Sequence, residues 1–205
     1  MRKLILYALA LLITTTACNS GSSGGDESQS STTMDHQEMS SENMQNMEMS
    51  ENVKSISVPR SNTASALLDD YLNIKNALAV DDQSAAAQAG AQLATDASSA
   101  DVDNISDPSQ VQEVKEILDV VKEHGEHISE SNIEHQREHF AMLEKDLMDL
   151  VKIVGSDRVL YTQYCPMYDN NKGGSWLSTS DQIQNPLFGS KMPTCGEVQQ
   201  IITMQ

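Results

Sequence analysis

The sequence SNIEHQREHFAMLEKDLMDLVKIVG, residues 131–155, decides the fold class of this 205-residue chain. Its apolar side chains recur every three or four residues, which is the spacing of one face of an amphipathic α-helix. Ser131 and Glu134 form a capping-box pattern at the start, and Gly155 is a natural C-terminal cap. The segment therefore predicts a helix with a single apolar stripe. The stripe consists of Ile133, Phe140, Leu143, Leu147, Leu150, Val151 and Val154.

Three further helices are predicted before this one. The first covers about residues 62–80, and the second is an Ala-rich helix over 83–99 that Asp81 and Asp82 can cap. The third begins after Asp107 and Pro108, which supply an N-cap and a proline at the first helical position. Four amphipathic segments with short connections predict an all-α fold, an up-and-down four-helix bundle over residues 60–155.

The C-terminal residues 156–205 are expected to form a loop-rich cap that contains cysteine and methionine and packs on the bundle as part of the same domain. Residues 158–164 alternate and are rich in β-formers, which predicts a short strand or an extended packing segment. Residues 196–204 are expected to form a short closing helix. Trp176 is expected to anchor the tail on the bundle.

The N-terminus predicts export and lipidation. Arg2 and Lys3 precede an apolar run that is too short to span a bilayer, and small residues lead to Cys18. Residues 1–17 therefore resemble a lipoprotein signal peptide with Cys18 as the lipidated residue; the alternative is an ordinary secretory signal that is cleaved nearby. The expected location is the cell envelope, with the protein anchored to a membrane by lipid and facing the periplasm or attached to the outer membrane.

Residues 18–59 show no apolar periodicity and are dominated by Ser, Gly, Asn, Gln and Glu, so we expect a disordered tether. Within it lie five of the chain's 11 methionines. Thioethers are not blocked as ligands by protonation and do not form disulfides, so they suit Cu(I) or Ag(I) in an oxidising compartment. The alternative is an accident of composition in a solvated linker. The candidate ligands of this arm are Met34, His36, Met39, Met44, Met47 and Met49.

Charge and composition exclude several classes of function. The formal net charge is −17, with 13 Lys and Arg against 30 Asp and Glu, and a surface this negative repels nucleic acids. The polar residues include no recognisable set of nucleophile, base and orienting group, and no Gly-rich phosphate loop follows a strand. We therefore expect a binding protein rather than an enzyme.

Four sulfur-bearing residues of the tail form the sharpest candidate site. They are Cys165, Met167, Met192 and Cys195, which occur as Cys-x-Met and Met-x-x-Cys. Soft sulfur ligands select Cu(I) and Ag(I), and the thiolates also suit Zn, a less favoured ion here. The alternative is a Cys165–Cys195 disulfide with both methionines as core filler, because an exported protein meets an oxidising environment.

Four histidines lie in the third and fourth helical segments. His135 and His139 are spaced i, i+4, with Met142 on the same flank, while His124 and His127 lie near the end of the preceding helix. If the chain reverses around residues 129–132, all four approach one another and could bind Zn or Cu(II). A solvated polar face is the alternative, and His139, nearest the apolar stripe, is the strongest candidate ligand.

Several tail motifs together resemble an uncharacterised domain family. They are Gln163 to Met167, Gly174 to Ser178, Ile183 to Pro186, Phe188-Gly189, Met192 and Cys195-Gly196, joined by Glu134 to Phe140 in the fourth helix. This family occurs in bacterial envelope lipoproteins and fused to periplasmic adaptor subunits of heavy-metal efflux pumps. The resemblance implies a helical domain with a Cys/Met cap, a role in heavy-metal handling and efflux components as partners.

Two functions follow as hypotheses. The first is an exported lipoprotein that binds Cu(I) or Ag(I) as an accessory to metal efflux or buffering. The second is a disulfide-closed helical interaction module of the envelope in which metal has no role.

Overall fold

Residues 53–103, 105 and 107–205 are described by a computed structural model. Four long helices account for about half of this part of the chain: α1 (Ser65–Ala79), α2 (Gln83–Ser99), α3 (Val111–Glu130) and α4 (Ile133–Val154). A 3-10 turn, Pro108–Gln110, precedes α3. The predicted helices are thus confirmed to within a few residues.

Local hydrogen bonds explain several helix ends. The Asp82 side chain accepts from the N–H of Ala85, and Asp107 accepts from the N–H of Ser109, as their cap positions predict. Gly155 ends α4 with φ of 88°, a left-handed conformation that favours glycine. The capping box is wrong in detail: Asn132, not Ser131, is the N-cap of α4 and accepts from the N–H of His135 at 3.1 Å.

The helices bury the predicted stripes in one core. Tyr71 of α1 stacks on Phe140 of α4 with ring centroids 4.7 Å apart, and both side chains are fully buried. Helices α2 and α3 approach closely where Gly90 faces Gly125. A Cβ atom at Gly125 would lie 2.7 Å from the carbonyl oxygen of Gly90, so this approach requires residues without side chains.

A four-stranded sheet corrects the all-α expectation. Its strands are β1 (Lys54–Val58), β2 (Leu160–Cys165), β3 (Gly174–Ser178) and β4 (Glu197–Met204), in the order β1-β4-β2-β3. Strand β4 pairs parallel with β1 and antiparallel with β2, which pairs antiparallel with β3. The prediction of a closing helix over 196–204 is wrong, and β1 lies within the range predicted to be a disordered tether.

The sheet and its loops pack on α1 and α4. The Leu177 N–H donates to the Tyr71 hydroxyl at 3.0 Å, and buried Arg137 donates to the carbonyl oxygens of Leu78 and Pro186. Trp176 is fully buried on β3 and donates from its indole N–H to Gln163. The tail is therefore part of the same folded unit as the helices.

Short turns complete the tail. Residues 168–171 form a single turn in which Asp169 and Asn170 have positive φ, and a 3-10 turn covers Gly189–Lys191. Within the described residues, none of the helices combines the length and the apolar character that a bilayer crossing requires.

Candidate metal centre

The four histidines of α3 and α4 meet in the groove between these helices. Because the chain reverses between Glu130 and Ile133, residues at the end of α3 face residues at the start of α4. The Nδ1 atoms of His124 and His139 are 2.9 Å apart, and the Nε2 atoms of His139 and His135 are 3.1 Å apart. His139 thus stands between two other imidazoles, and the expectation that the four residues approach one another is confirmed.

His127 completes the cluster on its exposed side. Its ring stacks on that of His139, with centroids 4.2 Å apart and planes 5° from parallel. One nitrogen from each of His127, His135 and His139 lies within 4.8 Å of the others. Three imidazoles in this arrangement offer a set of donors that a transition-metal ion can share.

Carboxylates contact the outer nitrogens of the cluster. Asp146 Oδ2 lies 3.4 Å from His124 Nε2, and Glu138 Oε2 lies 2.8 Å from His135 Nδ1. Glu123 Oε1 lies 3.9 Å from His127 Nε2, a longer contact on the open side. Metal-binding histidines commonly donate their second N–H to a carboxylate, which fixes the tautomer and increases the basicity of the ligand nitrogen.

The hydrogen bonds of the cluster set how many protons it holds. The chain His124–His139–His135–Glu138 contains three hydrogen-bonding contacts, and each needs one proton between its two atoms. Three neutral imidazoles carry only three N–H groups. These three protons satisfy the three contacts and leave none for the longer His124–Asp146 contact of 3.4 Å, which needs one additional cation in the cluster, a proton or a metal ion.

A metal ion at the two Nε2 atoms would take the place of the proton between them. His139 Nδ1–H would then donate to His124, His124 Nε2–H would be free to donate to Asp146, and His135 Nδ1–H would donate to Glu138. All three imidazoles would stay neutral, and every ring nitrogen would have a partner.

Burial and crowding oppose the additional proton at the centre of the cluster. Desolvation, reinforced by the neighbouring imidazoles of His127, His124 and His135, lowers the pKa of His139 to about 4. Burial also lowers the pKa of His124, although Asp146 acts in the opposite direction. His139 is therefore neutral at pH 7, which is the form that binds a metal ion.

The distances suit a tetrahedral ion. Two nitrogens bound at 2.0–2.1 Å in tetrahedral geometry lie roughly 3.3 Å apart, and His135 Nε2 and His139 Nε2 are separated by 3.1 Å. His127 has to rotate, because its ring is parallel to that of His139 and an imidazole lone pair lies in the ring plane. With 47% of its side chain exposed, it has room to do so.

The sulfur residues of the tail are arranged differently from the predicted four-sulfur site. Cys165, at the end of β2, and Cys195, just before β4, form a disulfide with Cα atoms 5.6 Å apart. Neither sulfur is then a thiolate, so no site of Cys165, Met167, Met192 and Cys195 is formed in this structure. Met167 and Met192 are 48% and 38% exposed, which also excludes a role as core filler.

The other predicted ligands lie outside the described residues. These are Met34, His36, Met39, Met44, Met47 and Met49, together with the lipidation candidate Cys18.

The carboxylates Asp146 and Glu138 did not emerge from the sequence as parts of a site. A signal for Asp146 exists, because it lies seven residues after His139, close to two helical turns, and thus on the same side of α4. The contact with His124 depends on the packing of α3 and could not be read from that spacing.

The comparisons with known proteins give a family-model match over the helical part of the chain. No curated protein and no solved structure matches the chain. Residues 67–158 match the family model described as "Protein of unknown function (DUF3347)". The matched range contains all four clustered histidines, whereas both cysteines of the disulfide follow it. Residues 67–158 are a DUF3347 domain, a domain of unknown function.

Proposed function

We propose that this protein binds a transition-metal ion of the copper and zinc class in the groove between α3 and α4. The ligands are His135, His139 and, after rotation, His127, while His124 orients His139. The observation that carries the proposal is the pair of Nε2 atoms 3.1 Å apart, each on a ring whose other nitrogen is already paired.

The electrostatic surroundings favour a cation. Acidic residues border the cluster on both helices, and none of the cluster's own contacts involves Lys or Arg. The acidic residues that contact its imidazoles are Glu123, Glu138 and Asp146. Carboxylates grouped around a groove increase the local concentration of cations and accelerate their association.

Exposure of the site favours exchange over permanent retention. His127 and His135 are 47% and 44% exposed, whereas His124 behind them is 12% exposed. Structural metal sites are closed by four protein ligands, and a site with open positions admits an exchanging ligand. We therefore assign the protein to the buffering or transfer of ions in the cell envelope, as a lipid-anchored accessory to heavy-metal efflux.

The test measures Zn(II) and Cu(II) affinity of the full chain by competition with a chromophoric chelator. His135→Asn with His139→Asn should weaken binding by more than about 100-fold, since loss of outer-shell partners alone costs 10–100-fold. Asp146→Asn should weaken it about tenfold through His124. Glu134→Gln, an exposed acidic residue outside the imidazole contacts, is the matched control.

Unchanged affinity in the double histidine variant would refute this assignment. Circular dichroism of each variant establishes that a lost affinity is not a lost fold.

The methionine arm is assigned a separate role in capturing Cu(I) or Ag(I). Deletion of residues 30–50 should reduce the number of Ag(I) ions bound per chain and leave Zn(II) affinity unchanged. An unaltered Ag(I) stoichiometry would remove the arm from the proposal. Because a tether keeps a captured ion at high effective concentration near the folded domain, transfer from the arm to the histidines would be favoured.

The second candidate function is a disulfide-closed interaction module of the envelope without a metal role. The observation that favours it is the Cys165–Cys195 disulfide. It predicts that no metal binds the full chain with useful affinity and that the double histidine variant behaves as the parent protein.

A further inference from the structure

Met142 lies in line with the histidines of α4. His135, His139, Met142 and Asp146 are spaced i, i+4, i+7 and i+11, positions that share one face of an α-helix. Contacts of this row with α3 are formed on both sides of Met142, by His139 towards the N-terminus and by Asp146 towards the C-terminus. Met142 therefore belongs to the edge of the groove that holds the cluster.

Packing does not explain a methionine at this position. Met142 is 49% exposed, among the largest exposed fractions for an apolar side chain in the described residues. It also lines an open cavity of about 550 Å³, together with Glu138, Tyr168 and Gly174. Glu138 is the carboxylate that contacts His135, so the cavity and the histidine cluster share an edge.

The side chain can reach the imidazoles. Side chains three positions apart on a helix have Cβ atoms about 5–6 Å apart, and methionine has three rotatable bonds with which to place its sulfur. The cavity on its other side leaves Met142 free to change rotamer without displacing core residues.

Resting on the proposed function, we infer that Met142 is an additional, thioether ligand that lets the histidine cluster hold a soft monovalent ion, Cu(I) or Ag(I), as well as a divalent one. Imidazoles bind zinc and copper, whereas a thioether selects soft ions and adds little for Zn(II). Met142 is then a specificity-determining residue of the site: it increases the affinity for monovalent ions selectively.

The test follows the methionine methyl groups by NMR during titration with Ag(I), a redox-inert probe. The full chain is used with the five arm methionines, Met34, Met39, Met44, Met47 and Met49, replaced by leucine, so that the arm does not compete. The Met142→Leu variant identifies the Met142 methyl signal, and leucine has nearly the helix propensity of methionine. Met167→Leu, an equally exposed methionine, is the matched control.

We expect the Met142 methyl to shift with Ag(I) and to lose this response in His139→Asn. Met142→Leu should weaken Ag(I) binding about tenfold or more and leave Zn(II) affinity within about twofold, while Met167→Leu should change neither. If the histidine ring protons shift with Ag(I) but the Met142 methyl does not, the inference is overturned and the proposed function stands. If neither Zn(II) nor Ag(I) perturbs the histidines, both are overturned.

Discussion

Loss of the Cys165–Cys195 disulfide should destabilise the protein by about 3–4 kcal/mol without changing its fold. The bridge joins residues separated by 30 positions, and the chain-entropy model gives this value for a loop of that length. In the folded state other contacts hold the same loop. Asn185 donates to the Cys195 carbonyl oxygen at 2.8 Å and accepts from the N–H groups of Leu187 and Phe188. The cost therefore arises mainly from the freedom that the unfolded chain regains.

The assay is urea denaturation of the oxidised parent protein and of the Cys165→Ala, Cys195→Ala double variant. Helix content from circular dichroism reports α1 to α4, and the fluorescence of Trp176, the only tryptophan, reports the tail. Both probes should show one transition, at lower urea in the variant, with a melting temperature lower by roughly 6–16 °C. Reductant added to the parent protein should reproduce the variant.

A difference below about 1 kcal/mol would refute the reasoning, because the loop would then gain no freedom on reduction. A tryptophan transition that is lost while the helix transition remains would also refute the reasoning, because it would show that the bridge is needed to hold the tail on the helices. Zn(II) affinity provides a further control: the histidine cluster involves no sulfur of the bridge, so the double variant should bind Zn(II) as the parent protein does.

Three further changes test the packing and the titrating groups. Gly125→Ala should destabilise the fold by about 1–3 kcal/mol in a thermal melt, because the new Cβ meets the backbone of Gly90; an unchanged melting temperature would contradict the close approach of α2 and α3. Asn132→Ala should lower the free energy of unfolding by about 1 kcal/mol, whereas Ser131→Ala should change it very little. The opposite result would support Ser131 as the N-cap of α4. Burial, with Asp96 beside it, raises the pKa of Asp70 to about 7. At this residue the folded state therefore binds more protons than the unfolded chain between pH 4 and 7, and its contribution to stability decreases as the pH rises through this range. Denaturation curves at pH 5 and pH 8 should show a smaller loss of stability in Asp70→Asn than in the parent protein. An equal loss in both proteins would refute the raised pKa.

Local patterns sufficed for the helices. Each helix signal involves only neighbouring residues: the apolar stripe of α4, its glycine C-cap and the aspartate caps of the preceding segments. An α-helix also forms its backbone hydrogen bonds within itself. The structure consequently reproduces these elements closely.

The sheet was missed because its hydrogen bonds are not local. Strand β1 finds its partner β4 about 145 residues later along the chain, pairing Lys54 with Gln200. A segment such as Glu197–Met204 carries both apolar and polar residues and fits a short helix or a strand until a partner is known. Only the folded chain supplies that partner.

The candidate site, like the fold, was predictable only where it depends on residues close together in the sequence. Sequence by itself determined the four helices and placed His135 and His139 on one side of the last of them, since an i, i+4 spacing fixes relative direction within a helix. It could not decide whether the two cysteines would bind a metal ion or each other, nor which carboxylates would face the histidines. Tertiary structure decided both, because a 5.6 Å Cα separation of the cysteines and a 3.4 Å contact between His124 and Asp146 depend on how distant segments pack.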